Sequence, residues 1–260
     1  MNPEKRTAIV TGATRGIGLA VTKALAREGF RVFVCARDGA ALDATVKELR
    51  GQSLDVAGRT CDVRDPAAVT GFVTAAAQHL GPIDTLVNNA GRSGGGVTAD
   101  ITDELWEDVI DTNLTGVFRM TRAVLTVGRM RELPRGRIIN VASTGGKQGV
   151  ALAAPYSASK HGVVGFTKAL GIELAKTGIT VNAVCPGYVE TPMAGRVRQG
   201  YAAHWNVSEA EVLRRFQAKI PLGRYTEPHE VAAMVAYLAS DAAAPVTAQA
   251  LNVCGGLGNY

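Results

Sequence analysis

The segment Thr11-Gly12-Ala13-Thr14-Arg15-Gly16-Ile17-Gly18 joins a short apolar run to a stretch with helical periodicity. Its glycines follow a G-x-x-x-G-x-G spacing, which departs from the common G-x-G-x-x-G, but the physical requirements are the same. The first glycine permits a tight turn, the second lets the backbone approach a pyrophosphate, and the third allows close helix packing. The helix N-terminus then offers free N–H groups to that anion. The predicted cofactor contacts of this turn are Gly12, Thr14, Arg15, Gly16, Ile17 and Gly18.

Apolar runs of strand length alternate with amphipathic stretches of helix length along nearly the whole chain. This alternation predicts an α/β fold, a Rossmann-type doubly wound parallel sheet of about seven strands with helices on both faces. Ligands bind such sheets outside the carboxyl ends of the strands. The predicted strands are Thr7–Thr11, Arg31–Cys35, Ala57–Cys61, Thr85–Val87, Arg137–Val141, Thr180–Val184 and Ala250–Val253. The predicted helices include Gly18–Glu28, Gly39–Leu49, Pro66–His79 and Pro155–Lys176.

No linker rich in Ser, Gly or Pro divides the chain, so residues 1–260 are predicted to form a single domain. The segment 193–220 interrupts the alternation, because it has no strand pattern but contains Tyr201, Trp205 and a mixed helical piece. A long insertion at the carboxyl edge of a sheet is usually functional, and a helical substrate lid is the interpretation we favour. A surface ornament is the alternative.

Composition narrows the classes of partner and compartment. The net charge is +5 with a pI of about 9.1, yet there is no Lys/Arg run and aromatics are only 5%. An anionic cofactor or an acidic carrier protein therefore explains the charge better than nucleic acid does. The four cysteines lack metal-ligand spacing, which predicts reduced thiols and no metal site. With neither a secretory signal nor a membrane-spanning run, a cytoplasmic location is predicted.

The end of the second predicted strand indicates which nucleotide binds. An acidic residue there would bind the 2′-hydroxyl of NAD, but the strand ends in Cys35-Ala36-Arg37. Arg37 and Arg15 together predict a 2′-phosphate site, and hence NADPH, through charge-assisted hydrogen bonds. Asp38 is expected to cap the next helix. The alternative is that both arginines are solvated surface charges.

Two later strand ends extend this predicted site. Asp62 and Val63 follow the third strand, where a carboxylate can accept a hydrogen bond from the adenine amino group. Asn89, Ala90 and Gly91 follow the fourth strand, and their small size lets adenosine lie against the backbone.

A tyrosine and a lysine lie four residues apart at the start of a predicted helix, in Tyr156-Ser-Ala-Ser-Lys160. Residues with this spacing share one helical face. A free tyrosine has a pKa of about 10, so proton transfer near neutral pH needs a neighbouring cation that lowers it. Ser143, just beyond the fifth strand, can hydrogen-bond a substrate carbonyl oxygen. Together these residues predict the reduction of a ketone.

Taken in order, these motifs resemble the short-chain dehydrogenase/reductase family. The matching residues are the glycine turn, Asn88-Asn-Ala-Gly91, Ser143, Tyr156-x-x-x-Lys160 and Pro186-Gly187. The resemblance implies hydride transfer from the nicotinamide C4 to a carbonyl, with Tyr156 as general acid and Ser143 polarising the carbonyl. Lys160 would hold the nicotinamide ribose, and Asn113 would complete a water-linked proton relay. The residues implied to flank the nicotinamide and its phosphates are Pro186, Gly187, Val189 and Thr191.

Longer runs are similar to the ketoreductases of bacterial aromatic (type II) polyketide synthases, the actinorhodin ketoreductase kind. They are Ala142–Gly149, Pro155–Leu170, Asn182–Gly187 and Ala250–Tyr260. This resemblance implies a poly-β-ketone held on an acyl carrier protein and reduced at one ketone, usually C9. It also implies a homotetramer built partly from the terminal segment.

The chain departs from that subgroup in the loop after the fourth strand. The subgroup has Pro-Gly-Gly in a loop linked to stereochemical choice, whereas this chain has Ser93-Gly94-Gly95. Losing the proline removes a fixed φ, so the resemblance predicts no particular handedness for the alcohol. The predicted substrate-binding residues are Ser93, Gly94, Gly95, Thr144, Gln148, Met193 and Tyr201. Lys147 is a further candidate for substrate contact.

Three arginines at strand ends, Arg37, Arg64 and Arg92, suggest a basic rim for an acidic carrier protein. Ordinary surface arginines are the alternative. Two other functions stay open: a β-ketoacyl-carrier-protein reductase of fatty acid synthesis, and an NADP-binding sensor without turnover, since a fold alone does not establish an activity.

Overall fold

Seven parallel strands and nine α-helices account for most of residues 6–260, the part of the chain that this computed structural model describes. The strands are β1 (Thr7–Thr11), β2 (Arg31–Cys35), β3 (Val56–Gly58), β4 (Thr85–Asn88), β5 (Gly136–Val141), β6 (Ile179–Pro186) and β7 (Ala250–Val253). The helices are α1 (Gly16–Arg27), α2 (Gly39–Gly51), α3 (Pro66–Leu80), α4 (Asp103–Ile110), α5 (Gly116–Leu125), α6 (Ala154–Leu174), α7 (Pro192–Trp205), α8 (Glu209–Gln217) and α9 (Pro228–Ala239).

The strands form one sheet in the order β3-β2-β1-β4-β5-β6-β7. Ile9 of β1 pairs with Phe33 of β2 on one side and with Leu86 of β4 on the other. The direction of winding therefore reverses between β1 and β4, where doubly wound sheets open a crevice for ligands. The Rossmann-type fold class predicted from the sequence is confirmed.

Helices cover both faces of the sheet, because alternate strand residues face opposite sides. Val10 and Ile139 pack into a core with α1 and α9, while Ile9 and Ile138 pack into a second core with α3, α5 and α6. Strands β1, β5 and β6 are buried along their whole length, which explains why most of their side chains are apolar.

The strand and helix bounds differ from prediction mainly at β3 and α6. β3 was predicted as Ala57–Cys61 but ends at Gly58, since the chain then leaves the sheet edge through a turn in which Asp62 Oδ1 accepts the Arg64 N–H. The predicted helix Pro155–Lys176 ends at Leu174 and continues as a 3₁₀ turn. Asp38 caps α2 by accepting the Ala41 N–H at 3.0 Å, as predicted. Residues 1–5, used in judging the secretory signal, lie outside the described residues.

The segment predicted as a lid, 193–220, folds as α7 and α8. These helices enclose a small core of their own around Val212, Phe216 and Ile220. Tyr188 stacks on Phe216 with ring centroids 4.6 Å apart, and Tyr201 packs on Trp205 at 4.8 Å. Within residues 6–260, no helix has the length and apolar character needed to cross a membrane.

Candidate active site

The glycine turn between β1 and α1 has the backbone that the sequence predicted. Gly12 and Gly16 have positive φ angles of 67° and 55°. A Cβ on Gly18 would lie 2.2 Å from the Gly12 carbonyl oxygen and 2.4 Å from the Asn89 amide nitrogen. Only glycine therefore lets α1 start this close to the turn.

Asn89 braces this turn from the neighbouring strand end. Its Nδ2 donates to the carbonyl oxygens of Thr11 and Gly12 at 2.9 and 3.0 Å. The Thr11 hydroxyl in return accepts the N–H groups of Asn89 and Ala90. The Asn89 side-chain nitrogen thus shapes the turn, and the cofactor contact expected at Asn89 stays a prediction.

The carboxyl ends of β2 and β3 bring the predicted adenosine residues together. Arg15 and Arg37 are both exposed, at the turn and just after β2. The Gly12 N–H donates to the Cys35 carbonyl oxygen at 2.9 Å, which places the turn beside the end of β2. Asp62 is partly buried, and Arg64 with a smaller contribution from Arg37 holds the pKa of Asp62 below its usual value. A carboxylate and two exposed guanidiniums thus lie at the carboxyl ends of β1, β2 and β3.

Ser143 and Tyr156 meet at the carboxyl end of β5. Ser143 caps a 3₁₀ turn, Thr144–Gly146, and its Oγ accepts the Gly145 N–H at 3.0 Å. Burial raises the pKa of Tyr156, while a hydrogen bond with Ser143 opposes that rise. The net direction is opposite to the lowering expected from Lys160, because desolvation of the phenol outweighs the hydrogen bond with Ser143.

Lys160 lies one helical turn after Tyr156 and is 5% exposed. Its ammonium is 5.8 Å from the Tyr156 ring centroid and donates to the Val141 carbonyl oxygen at 2.8 Å. A Cβ on Gly91 would be 3.7 Å from Lys160 Nζ, so the ammonium reaches the crevice below that glycine. Burial lowers the pKa of Lys160 to about 8.

Asn113 is buried in a π-helical turn, Asp111–Thr115, between α4 and α5. Its Oδ1 accepts the Arg92 N–H at 2.8 Å and its Nδ2 donates to the Arg92 carbonyl oxygen at 2.9 Å. Nδ2 also donates to Ser159 Oγ at 3.1 Å, and Ser159 donates to the Tyr156 carbonyl oxygen at 2.7 Å. Such π-turns are frequent at functional sites. Asn113 therefore ties the loop after β4 to the helix that carries Tyr156.

Sequence reasoning missed a buried polar ladder beneath these residues. Asn88 donates to Thr121 and to Asn140, and Asn140 donates to Thr167 on α6. These bonds tie β4, β5, α5 and α6 together directly under the site. Asn88 is part of the Asn88–Gly91 motif, but the motif does not predict these bonds, and no local sequence pattern marks Asn140 or Thr167.

The loop after β6 closes the crevice opposite the glycine turn. Val189 forms a parallel bridge with Thr226, and Thr191 caps α7 by accepting the Ala194 N–H. A Cβ on Gly16 would be 3.2 Å from Thr191 Cγ2, so this loop touches the glycine turn. The predicted residues Pro186, Gly187, Val189 and Thr191 thus line one continuous wall.

The loop after β4 packs against the segment before α6. A Cβ on Gly95 would lie 1.9 Å from the Leu152 carbonyl oxygen, and the Gly96 N–H donates to that oxygen at 2.9 Å. A Cβ on Gly94 would be 2.3 Å from Val109 Cγ2. The two glycines therefore provide close packing, and Ser93 precedes them partly buried.

The remaining predicted substrate residues differ in what they contact. The Tyr201 hydroxyl donates from α7 to the Ala151 carbonyl oxygen at 2.6 Å, so the lid reaches across to the segment before α6. Gln148 and Met193 are partly buried, and Thr144 is buried. Lys147 instead donates to Ala250, Asn252 and Tyr260 at 3.2, 3.1 and 2.7 Å, away from the cleft.

Two of the three rim arginines are ion-paired. Arg64 contacts Asp62 and Asp108 at 2.6 and 2.7 Å, and Arg92 contacts the same Asp108. Asp108 on α4 therefore joins the loops after β3 and β4. These pairs neutralise part of the basic rim and leave Arg37 as its exposed member.

Comparisons with known proteins agree with this geometry. The family model "short chain dehydrogenase" matches residues 6–202. A protein of Streptomyces virginiae named as a ketoacyl reductase of the monensin polyketide synthase is 70% identical over 255 residues, 98% of each chain. The 3-oxoacyl-acyl-carrier-protein reductase of Escherichia coli is 38% identical over 259 residues, 99% of each chain.

A solved structure adds a match in three dimensions. A variant of actinorhodin polyketide ketoreductase crystallised with NADPH superimposes with a TM-score of 0.96, at 63% identity and 98% coverage of each chain. The chain belongs to the short-chain dehydrogenase family. It is an oxidoreductase, and the family and enzyme class predicted from the sequence are confirmed.

Proposed function

We propose that this protein is an NADPH-dependent ketoreductase that reduces one keto group, at C9, of a poly-β-ketone carried by an acyl carrier protein in aromatic polyketide biosynthesis. The observation that carries the proposal is the convergence of Ser143, Tyr156 and Lys160 beside the glycine turn. The relatives named for polyketide synthases, at 63 to 70% identity over nearly the whole chain, support the substrate class.

The residues present fit NADPH at the sheet crevice. The glycine turn and the α1 N-terminus suit the pyrophosphate, and Arg15 with Arg37 suits the 2′-phosphate. Asp62 and Val63 suit the adenine, and Asn89, Ala90 and Gly91 suit the adenosine half. The loop from Pro186 to Thr191 suits the nicotinamide half. When bound there, NADPH supplies the hydride.

The chain's own residues handle the proton. Ser143 Oγ donates a hydrogen bond to the ketone oxygen, and Tyr156 donates its proton to that oxygen. The raised pKa of Tyr156 keeps the phenol protonated until that moment. The Lys160 ammonium stabilises the phenolate left behind, and Asn113 holds the loop after β4 so that these groups keep their spacing.

A long polyketone requires a wide cleft with a cover. The α7 and α8 helices, which carry Met193 and Tyr201, suit that cover, and the Tyr201 hydroxyl donates to the segment before α6. Ser93, Gly94, Gly95, Thr144 and Gln148 suit the opposite wall. The rim formed by Arg64 and Arg92 suits the acidic carrier, with part of its charge neutralised by Asp108 and with Arg37 occupied by the cofactor. Assembly as a homotetramer in the cytoplasm completes the proposal.

Turnover of two ketones tests the substrate class. We expect NADPH consumption with trans-1-decalone, a bicyclic ketone, to exceed that with an acetoacetyl thioester in kcat/KM. A strong preference for the linear thioester would contradict the polyketide assignment. It would favour a β-ketoacyl-carrier-protein reductase of fatty acid synthesis, the kind that the 38% identical E. coli relative is named for.

The Tyr156→Phe variant separates an enzyme from a sensor that only binds NADP. We expect kcat to fall by about a thousandfold, as for loss of a general acid, while NADPH affinity stays within about twofold. Both quantities are measured on the same preparation, by absorbance at 340 nm and by fluorescence titration. A wild-type protein that binds NADPH but reduces no ketone would be a sensor.

A further inference from the structure

Arg198 on α7 connects three separate elements through one guanidinium. Its Nη1 and Nη2 donate to the two carboxylate oxygens of Glu190, each at 3.0 Å. Its Nε donates to Glu209 Oε1 at 3.0 Å. Glu190 lies in the loop after β6, and Glu209 is the first residue of α8.

The Arg198 side chain is largely withdrawn from water. It is 12% exposed, whereas its partners Glu190 and Glu209 are 44% and 41% exposed. The hydrogen bonds that Arg198 donates to Glu190 raise the pKa of Arg198 above its usual value, and its guanidinium carbon lies 5.5 Å from the Tyr225 ring centroid. A partly desolvated, bidentate pair contributes more and is more directional than an exposed ion pair.

Glu190 stands in the middle of the loop that faces the cofactor crevice. Its N–H donates to the Thr226 carbonyl oxygen at 3.0 Å, while Val189 before it bridges Thr226. Thr191 after it contacts the glycine turn near Gly16. Contacts therefore run without a gap from the pyrophosphate turn through residues 189–191 to Arg198.

We propose that Arg198 is a positioning residue that couples the loop after β6 to the lid helices α7 and α8. Cofactor bound against residues 186–191 orders that loop, and the Arg198–Glu190 fork passes this order to α7. The lid helices are then already held over the ketone-binding position before a ketone binds. The inference rests on the cofactor placement and the lid role given under Proposed function.

Loss of the guanidinium removes the link and leaves two carboxylates without their shared cation. The lid helices keep their own aromatic core, so they stay folded but lose their fixed orientation toward the loop. The consequence is specific to the lid, because neither the glycine turn nor Arg37 contacts Arg198.

Hydrogen–deuterium exchange of the α7 amides, with and without NADP⁺ and with no ketone present, tests the coupling directly. In the wild-type protein we expect NADP⁺ to slow exchange both in residues 12–18 and in residues 192–205, the latter by at least about fivefold. In Arg198→Met, protection of 12–18 persists and protection of 192–205 falls to less than about a third of the wild-type effect. Arg198→Lys, which keeps the charge but not the fork, lies between the two.

Arg214→Met is the matched control. Arg214 pairs with Glu211 inside α8 and is 78% exposed, so this variant loses an arginine–carboxylate pair without breaking a link between elements. Wild-type protection of α7 in Arg214→Met supports the proposal. Undiminished protection of α7 in Arg198→Met overturns it, as does an equal loss in Arg214→Met.

Steady-state kinetics supply a second readout that general destabilisation would not give. We expect Arg198→Met to raise KM for trans-1-decalone about tenfold and to leave Kd for NADPH within about twofold. Glu190→Gln should likewise raise KM for the ketone and leave Kd for NADPH nearly unchanged. The double variant should raise KM little further, because both changes break the same Arg198–Glu190 link. If the wild-type protein prefers linear thioesters but Arg198→Met still loses the protection of α7, the polyketide assignment is contradicted and this inference stands. If the wild-type protein reduces decalone as expected but Arg198→Met keeps the NADP⁺-dependent protection of α7, this inference is overturned and the polyketide assignment stands.

Discussion

Lys160 and Tyr156 have pKa values that move in opposite directions for the same reason. Burial disfavours the charged form of each, so it lowers the pKa of the ammonium to about 8 and raises the pKa of the phenol. As pH rises, Lys160 therefore loses its proton well before Tyr156 does. Tyr156 therefore keeps its proton, as a neutral phenol, over the whole neutral range, and Lys160 is the first of the two groups to lose its proton as pH rises.

The pH dependence of kcat/KM for NADPH, at saturating ketone, reports groups of the free enzyme. We expect it to fall about tenfold per pH unit above pH about 8, as Lys160 becomes neutral. Lys160→Arg keeps its charge to much higher pH and should move this falling limb upward, even if its maximum is lower. A limb that begins only above pH about 10, the range of an unperturbed tyrosine, would contradict the assignment to Lys160.

Arg37 decides the choice of nucleotide, on the proposal made above. Arg37→Asp should weaken NADPH binding by about ten- to a hundredfold and leave NADH binding nearly unchanged, because only NADPH carries the 2′-phosphate. Titration of nucleotide fluorescence measures both affinities. Arg27→Asp, at the exposed far end of α1, is the control for a general charge effect. An unchanged preference in Arg37→Asp would place the 2′-phosphate elsewhere.

At the scale of elements, the start of α1 depends on the absence of one side chain. The Gly12 carbonyl and the Asn89 amide both occupy the space that a Cβ at residue 18 would need. Asn89 in turn is held by hydrogen bonds to the β1 end. The helix, the turn and the β4 end therefore form one rigid unit, and its shape is what suits a pyrophosphate.

Gly18→Ala tests this unit. The added methyl must displace Asn89 or α1, so we expect NADPH affinity to fall by at least about tenfold, in line with the cost of overpacking. Gly71→Ala is the control, since residue 71 lies in α3 and a Cβ there meets nothing within 4 Å. That variant should bind NADPH normally and gain up to about 1 kcal/mol in the free energy of unfolding. Equal affinities in the two variants would mean that the turn tolerates displacement.

At the scale of the whole molecule, large apolar side chains remain on the surface of the described residues. Trp106 on α4 and Phe118 on α5 are 44% and 43% exposed, and Ile172 on α6 is 73% exposed. Exposed apolar groups of this size are typical of interaction surfaces. The proposed homotetramer would cover them.

The mass in solution, measured by light scattering, checks this proposal. We expect a four-chain species for the wild-type protein and a smaller species for Phe118→Arg, since a charge buried in an apolar contact costs at least about 2 kcal/mol. Far-ultraviolet circular dichroism should be the same for both, because Phe118 lies on the outside of the fold. A wild-type monomer, or a Phe118→Arg protein of unchanged mass, would contradict the proposal.

Local patterns were sufficient for most of the architecture. Strand-length apolar runs, the glycine spacing and Asp38 as a cap each act within a few residues, so they are visible in the sequence and agree with the structure. β3 was placed too far along the chain, because Arg59–Cys61 keeps only scattered bonds to β2 at a sheet edge. An edge strand ends where its pairing with the neighbouring strand stops, and periodicity does not contain that information.

What the sequence by itself determined is the family, the doubly wound sheet and the enzyme class, since these depend on residue type at short spacing. The proton-transfer roles of Ser143, Tyr156 and Lys160 stay predictions. Only the tertiary structure decided the electrostatics: burial that raises the pKa of Tyr156, Asp108 neutralising Arg64 and Arg92, and Arg198 on α7 pairing with Glu190 in the loop after β6. These effects require groups far apart in the chain to meet at distances of a few ångströms, and a charge has no definite energy until its surroundings are known.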